Sequence, residues 1–315
     1  AAGFIGRALV ARLLREGSQV TAFDLAATPP AGWGDRVHYA AGDVRHPQQV
    51  QQALGAAATI FHLAAITLDA GTLAQHRAVT VEGTRHVMQT AAQTGAKVIL
   101  TSSIVCYGER LQEDIDLDED LAWGKPTGFY STCKQEQERL AREMSARHGT
   151  PLVVVRPGNV YGPGSPQWVQ AALNELRRGT PSLIGGGQAD ANLVYVENLM
   201  EALMLAASNP AAVGRAYNVA DGFGVTWLQY FGDLARLGGA PRPRAIPFGL
   251  ARALAAVIEP AWRGLGLGGR PPITYEAVNL VGARARHVTT RAQTELGFRP
   301  VVDYAQALDA IQSSL

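Results

Sequence analysis

The chain has 315 residues, 47% of them hydrophobic, a net charge of +1 and two cysteines. That length suits two modest domains, or one large domain with a substrate-binding lobe. The net charge gives no electrostatic case for nucleic acid or an anionic membrane. Cys106 and Cys133 are too few for a disulfide framework, which fits a reducing cytoplasm. No apolar run reaches the roughly 18 to 20 residues of a membrane span, and the first residues lack a signal-peptide layout.

The chain opens on Gly3-Phe4-Ile5-Gly6. From Phe4 to Glu16 the apolar rows Ile5, Leu9, Leu13 and Val10, Leu14 have helical spacing, and a strand follows from Gln19 to Phe23, ending at Asp24. Glycines opening a helix, with an acid closing the next strand about 20 residues on, form the back half of a dinucleotide-binding fingerprint. Small residues let the backbone approach a pyrophosphate at the positive end of the helix. Asp24 accepts hydrogen bonds from the adenosine ribose hydroxyls and repels a 2′-phosphate, so the expected cofactor is NAD and not NADP. A first strand and its glycine are expected before Ala1.

The alternation then continues: a strand over Val37–Ala40, Gly42-Asp43-Val44, a helix over Pro47–Leu54 and a strand over Thr59–Leu63 running into Ala64-Ala65. A long helix over Thr72–Thr94 and a strand over Lys97–Leu100 ending at Thr101-Ser102-Ser103 come next. A helix rich in Lys, Gln, Glu, Ala and Arg spans Gly128–Arg147, and a strand over Pro151–Val155 leads to Arg156-Pro157-Gly158-Asn159. Strands alternating with helices predict an α/β fold with a Rossmann-type, doubly wound parallel sheet. Ligands bind beyond the carboxyl ends of such strands, where the Gly42-Asp43, Ala64-Ala65, Ser102-Ser103 and Pro157–Asn159 segments fall.

The predicted helix from Gly128 carries Tyr130 and Lys134, four residues apart and so on one face. A cation beside a phenol favours the phenolate and is expected to pull the tyrosine below its free pKa of about 10, giving a proton donor and acceptor usable near neutrality.

Beyond Asn159 the pattern loosens. Residues 161–166 form a Gly/Pro-rich turn, Trp168–Arg178 and Asn198–Ala207 are predicted helices, and Leu193–Val196 is a predicted strand. Residues 1–160 are expected to form the NAD-binding domain and 161–315 mainly the smaller C-terminal substrate-binding lobe, with 192–220 returning to the sheet. The stretch from Pro241 to Gly282 is apolar and interrupted by Pro and Gly. It is read as core plus substrate lid, ahead of a membrane-surface patch.

Taken in order, the segments quoted above, together with His62-Leu63-Ala64-Ala65, Glu82-Gly83-Thr84, Tyr107-Gly108, Tyr130-x-x-x-Lys134, Asn159-Val160-Tyr161-Gly162-Pro163 and Leu296-Gly297-Phe298-Arg299-Pro300, resemble the extended short-chain dehydrogenase/reductases, the epimerase/dehydratase superfamily. The resemblance implies that Tyr130 is the catalytic acid/base and that Lys134 binds the nicotinamide ribose. It implies that Ser103 holds the substrate oxygen, that Asp43 and Val44 flank adenine, and that Ala64 and Ala65 pack along the cofactor. Pro157 and Asn159 join the cofactor-binding set with Gly3, Phe4, Ile5, Gly6, Asp24 and Lys134. Thr80 stands where many relatives carry Asn. No metal is expected, since the seven histidines lack ligand spacing.

Nucleotide-sugar relatives commonly carry an Arg for the diphosphate where this chain has Ala191, beside Asp190, and dehydratases an acidic pair where it has Ile104 and Val105. With its apolar stretch, the chain looks more like the hydroxysteroid-dehydrogenase-like and 3-oxoacid-reductase-like branches. The expected function is therefore an NAD-dependent oxidoreductase acting on a largely apolar secondary alcohol or ketone. A nucleotide-sugar epimerase or dehydratase, using Arg284 and Arg286 for a phosphate, is the alternative, and a non-catalytic NAD-binding protein a second. The expected partners are a small-molecule substrate and a second copy, through the helices Thr72–Thr94 and Tyr130–Arg147.

Overall fold

The computed structural model describes residues 1–67 and 70–315. Its centre is a parallel sheet. Strands β1 (Val20–Asp24) and β2 (Val37–Ala41) pair with each other, while β3 (Thr59–His62), β4 (Lys97–Thr101), β6 (Leu152–Pro157) and β10 (Ala216–Val219) form a second run in the order β10-β6-β4-β3. Between β4 and β6 lies the short β5 (Asp116–Leu117). The helices of this half are α1 (Phe4–Arg15), α2 (Pro47–Leu54), α3 (Leu73–His76), α4 (Gly83–Thr94) and α5 (Phe129–His148). A π-turn over Arg77–Glu82 joins α3 to α4, so the helix expected from Thr72 runs through to Thr94, with Thr72 closing a capping box on Gln75.

The two central strands explain why both faces are covered. Every residue of β6 is buried, as are Val98 to Thr101 of β4. Side chains alternate across a strand. Ile99, Val153 and Val155 pack into one apolar cluster with Leu9 of α1. Val98, Leu100 and Val154 pack into another with Met88 and Ala91 of α4 and Leu140 and Ala141 of α5. Burial on both faces forces near-continuous apolar runs rather than alternation.

The remaining strands are β7 (Asn159–Tyr161), β8 (Pro181–Ile184), β9 (Leu193–Tyr195), β11 (Arg244–Ile246) and β12 (Arg286–His287). They form small parallel pairs, β7 with β9, β8 with β11 and β5 with β12. The later helices are α6 (Ala172–Arg177), α7 (Val196–Ser208), α8 (Trp227–Leu237), α9 (Phe248–Gly264), α10 (Tyr275–Val281), α11 (Thr290–Glu295) and α12 (Tyr304–Ser314). Leu199 and Leu203 of α7 join the cluster on the α1 side of the sheet.

One expectation needs correcting. The apolar stretch after Pro241 is not core over much of its length. Leu250, Val257, Leu265 and Leu267 are 52%, 71%, 75% and 47% exposed. Only Ala251 and Ala255 of α9 are buried, against Val278 of α10. The reason is geometric: a single surface helix can turn only one face inward.

A buried ion pair ties α5 to the sheet. Glu138 is fully buried, and Arg156 at the end of β6 reaches it with two bonds, Nη2 to Oε1 at 2.6 Å and Nε to Oε2 at 3.1 Å. Arg156 also donates to the Tyr107 hydroxyl at 3.0 Å. Truncating one partner strands the other charge in a water-poor site, which costs about 3–5 kcal/mol. Glu138→Ala is therefore expected to lower the urea-unfolding free energy by about that amount. Glu138→Leu combined with Arg156→Met, which removes both charges, is expected to cost less than the single change.

Candidate active site

The N-terminal turn of α5 is built by groups distant in sequence. Gly128 is its N-cap, and the Ser131 Oγ accepts from the amides of Thr127 and Gly128 at 2.9 and 3.0 Å. The carboxylate of Glu276, the second residue of α10, accepts from the amides of Tyr130 and Ser131 at 3.1 and 2.6 Å. An anion at the positive end of a helix is favourable and satisfies amides that have no partner within the helix. The approach is so close that a Cβ on Gly128 would lie 2.3 Å from Glu276 Oε2. Only glycine leaves the carboxylate room.

Tyr130 is half-buried and lies beside the buried Ser103. Ser103 also accepts from the Val105 amide, as N-cap of the turn that follows β4. Lys134, one turn on, is buried; its Nζ donates to the Thr101 carbonyl at 2.8 Å and to Gln137 Oε1 at 3.0 Å, and sits 5.7 Å from the Tyr130 ring centroid. An ammonium has three donors, so the structure uses two of them. The structure thus brings Ser103, Tyr130 and Lys134 together where β4 ends.

The expected lowering of the Tyr130 pKa is not found. Burial is the largest influence and pushes the phenol well above its ordinary value; the nearby Ser103 hydroxyl works the other way, and the Glu276 charge pushes it up further. Desolvation of a phenolate outweighs a cation whose N–H groups point to other acceptors. Lys134 is itself pulled down to about 8, because burial disfavours the ammonium.

Behind Lys134 runs a buried relay that the spacing argument missed. Gln137 Nε2 donates to Thr84 Oγ1 at 2.8 Å and Thr84 Oγ1 meets His62 Nε2 at 2.8 Å. Thr84 Oγ1 also donates to the Thr80 carbonyl, and Thr80 Oγ1 accepts from the Ile66 amide at 3.3 Å. Thr80 thus supplies a contact to the strand-end loop after β3. His62 is pulled down to about 3, by burial first and the Lys134 charge second, so it is neutral in this network. One signal in the chain could have found Gln137: it lies three residues after Lys134, on the same helical face. Glu276 carries no such signal, because it is 146 residues from Tyr130.

The cofactor candidates separate into groups. Gly3 caps α1, and nothing lies within 4 Å of where its Cβ would be; Gly6 leaves no such space, since a Cβ there would meet the Ala1 carbonyl at 2.1 Å. Phe4 and Ile5 form the first turn, which itself carries no acidic residue. Asp24 ends β1, with Oδ2 accepting from the Ala2 amide at 2.7 Å and Oδ1 from the Ala26 amide at 3.1 Å. Burial pushes its carboxyl up; the bond from the Ala1 amino group first, then those from the Ala26 and Ala2 amides, outweigh that and hold it below the ordinary value. Ala64 and Ala65 lie in the loop after β3. This open helix end, ionised strand-end acid and partly used lysine fit a dinucleotide.

Other candidates are engaged with protein. Asp43 pairs with Arg45, its Oδ2 receiving Nε at 2.8 Å. Val44 is buried against α4, where a Cβ on Gly83 would come within 2.8 Å of it. Pro157 and Asn159 are buried, and the Asn159 amide group donates to the Ala191 carbonyl at 2.7 Å, tying β7 to the segment before β9. Cys106 and Cys133 are buried free thiols.

The parallel sheet and the Ser–Tyr–Lys grouping define an extended short-chain dehydrogenase/reductase, the class whose cofactor is NAD. The chain belongs to the NAD dependent epimerase/dehydratase family, whose model matches residues 1–220. It is 28% identical over 287 residues to 3beta-hydroxysteroid-dehydrogenase/decarboxylase isoform 1 of Arabidopsis thaliana, covering 87% of this chain and 65% of that protein. The chain thus spans less than two thirds of that relative's length. It is 27% identical to the 2-alkyl-3-oxoalkanoate reductase of Stenotrophomonas maltophilia, covering 99% of this chain and 96% of that protein. Among solved structures, MoeE5 in complex with UDP-glucose and NAD is similar with a TM-score of 0.74 and 26% identity, over 100% of this chain and 96% of that one.

Lys134 gives a signed pH expectation. Its folded pKa of about 8 lies below the ordinary 10.5. Between those values the unfolded chain holds a proton that the folded chain does not, so the group's contribution to stability rises with pH there, at up to about 1.4 kcal/mol per unit. The unfolding free energy of the wild type relative to Lys134→Met is expected to increase from pH 8 to 10.5. A flat or falling difference would show that the ammonium is not desolvated as described.

Proposed function

We propose that the chain is an NAD-dependent oxidoreductase that interconverts a secondary alcohol and a ketone on a largely apolar substrate. The observation that carries this reading is the grouping of the buried Ser103 with Tyr130 and the buried Lys134, whose Nζ is 5.7 Å from the Tyr130 ring centroid. In reduction, the Ser103 hydroxyl holds the carbonyl oxygen and the Tyr130 phenol donates its proton to that oxygen; in oxidation, the phenolate takes the proton back. A phenol held up by burial is protonated at neutral pH and ready for the first direction. Lys134 would hold the nicotinamide ribose with its third N–H, and its charge favours the phenolate left after proton transfer. NAD, bound by Gly3–Gly6 and Asp24, supplies the hydride acceptor or donor. Residues 1–160 form the cofactor domain in this reading, and 161–315 mainly the substrate lobe.

Three observations favour an apolar substrate over a sugar nucleotide. The residue before Asn192 is the buried Ala191, with no charge to meet a diphosphate. Arg284 and Arg286 are paired with Asp114 and Asp116, the latter through two 2.8 Å bonds. The two curated relatives described above are named for a hydroxysteroid and a 3-oxoalkanoate. The buried free thiols are consistent with a reducing, cytoplasmic setting, and α4 and α5 are the faces through which a homodimer would form.

The test is turnover followed by NADH absorbance with a hydrophobic ketone or β-keto acid. Stoichiometric NADH consumption is expected; epimerisation of a UDP-sugar without net cofactor change would favour the sugar-nucleotide reading. Tyr130→Phe is expected to lower kcat by about 10²-fold or more while leaving NAD affinity near normal. Asp24→Ala is expected to narrow the preference for NAD over NADP by on the order of tenfold, measured by fluorescence titration of each dinucleotide.

A further inference from the structure

Four buried polar side chains from three elements meet in one network: His62 of β3, Thr84 of α4, and Lys134 and Gln137 of α5. Counting their protons gives the network a direction. The Thr84 hydroxyl has a single proton and donates it to the Thr80 carbonyl at 2.6 Å. Thr84 Oγ1 is left to accept, from Gln137 Nε2 at 2.8 Å and from His62 Nε2 at 2.8 Å. His62 therefore carries its proton on Nε2. Gln137 Nε2 also donates to the Thr80 carbonyl, at 3.3 Å. Both amide protons of Gln137 are thus spent away from Lys134, and its Oε1 accepts from Lys134 Nζ at 3.0 Å. The flipped amide would set NH2 against the ammonium, donor against donor.

The groups around Lys134 show why a fixed acceptor matters. A lysine ammonium sits on a flexible stem with three rotatable donors. Here both acceptors are neutral oxygens, Gln137 Oε1 and the Thr101 carbonyl at 2.8 Å. The titratable neighbours are His62 from β3, Cys106 after β4, and Tyr130, Cys133 and Glu138 on α5 itself. Burial keeps His62 neutral and both thiols protonated. Glu138 is held by Arg156 and Arg142. Burial pulls Lys134 down to about 8. A hydrogen bond accepted from the charged form works against that pull.

We propose that Gln137 is a positioning residue for the cofactor: locked by Thr84 and His62, it holds the Lys134 ammonium and leaves the third N–H for the nicotinamide ribose. The inference rests on the role given to Lys134 above. It is independent of the reaction proposed for Tyr130, because cofactor binding is read without turnover. Thr80 is part of the lock. It lies in the π-turn between α3 and α4, and its carbonyl takes protons from both Thr84 and Gln137.

The experiment is fluorescence titration with NAD at a series of pH values on either side of the Lys134 pKa of about 8. Wild-type affinity is expected to fall as pH rises through that value, where the ammonium is lost. Gln137→Leu removes an acceptor of the charged form. It is expected to bind NAD about tenfold more weakly at neutral pH, with the fall displaced to lower pH. Thr84→Val unlocks the Gln137 amide without touching Lys134 and is expected to act in the same direction, less strongly. Thr84→Ser keeps the hydroxyl and is expected to bind as the wild type does. Circular dichroism melts show which variants are folded, and Thr84→Val, close to threonine in shape, carries the test if Gln137→Leu does not fold. Weak binding by Lys134→Met, with Gln137→Leu and Thr84→Val matching the wild type, would overturn the inference alone. So would weakened binding by those two variants with the pH dependence unmoved, since packing would account for it. Lys134→Met binding NAD like the wild type would overturn the role given to Lys134, and this inference with it.

Discussion

The placement of the Ser–Tyr–Lys grouping depends on the Glu138–Arg156 pair. Glu138 is two helical turns beyond Tyr130 on α5, and Arg156 closes β6. Burial pushes the Glu138 carboxyl up, and Arg156 more than offsets this and keeps it ionised. A pair this deeply buried is tolerated only when its remaining hydrogen-bonding capacity is used. Here Arg142 adds a 3.0 Å contact to Glu138, and Tyr107 takes the free Arg156 nitrogen. Tyr107 in turn bonds Asn218 Oδ1 on β10 at 2.9 Å. One charge pair thereby clamps α5, β6 and β10 in a fixed relation, and Tyr130 and Lys134 project from the clamped helix toward the end of β4.

The other end of α5 is held from the lobe. Glu276 on α10 binds the first amides of α5, and Arg263 on α9 stacks over Phe129. The C-terminal half of the chain therefore touches α5 directly. A shift of α10 would move the anion that both caps α5 and raises the Tyr130 phenol.

Much of the fold was legible because buried parallel strands leave unmistakable apolar runs, and because Thr72 and the glycines mark helix ends. The Tyr130–Lys134 spacing was legible because an α-helix repeats every 3.6 residues. The sign of the Tyr130 shift was not, because it turns on how much water reaches the phenol and on where Lys134 spends its N–H groups. The apolar stretch after Pro241 misled for a related reason. Composition reports how much apolar surface exists, and α9 shows that which side of it is covered depends on its neighbours, here α10 with Ile184 of β8 and Ile246 of β11.

By itself, the sequence determined the order of strands and helices, the glycine turn before α1, the acid at the end of β1 and the one-face spacing of Tyr130 and Lys134. All are local, set by backbone sterics and periodicity within a few turns of chain. Tertiary structure alone decided that Glu276 caps α5 from 146 residues away, that Gln137, Thr84 and His62 stand behind Lys134, and that Glu138 meets Arg156. These contacts join groups that no sequence period relates. They form because buried charges and amides need partners, and folding supplies the partners that are nearest in space.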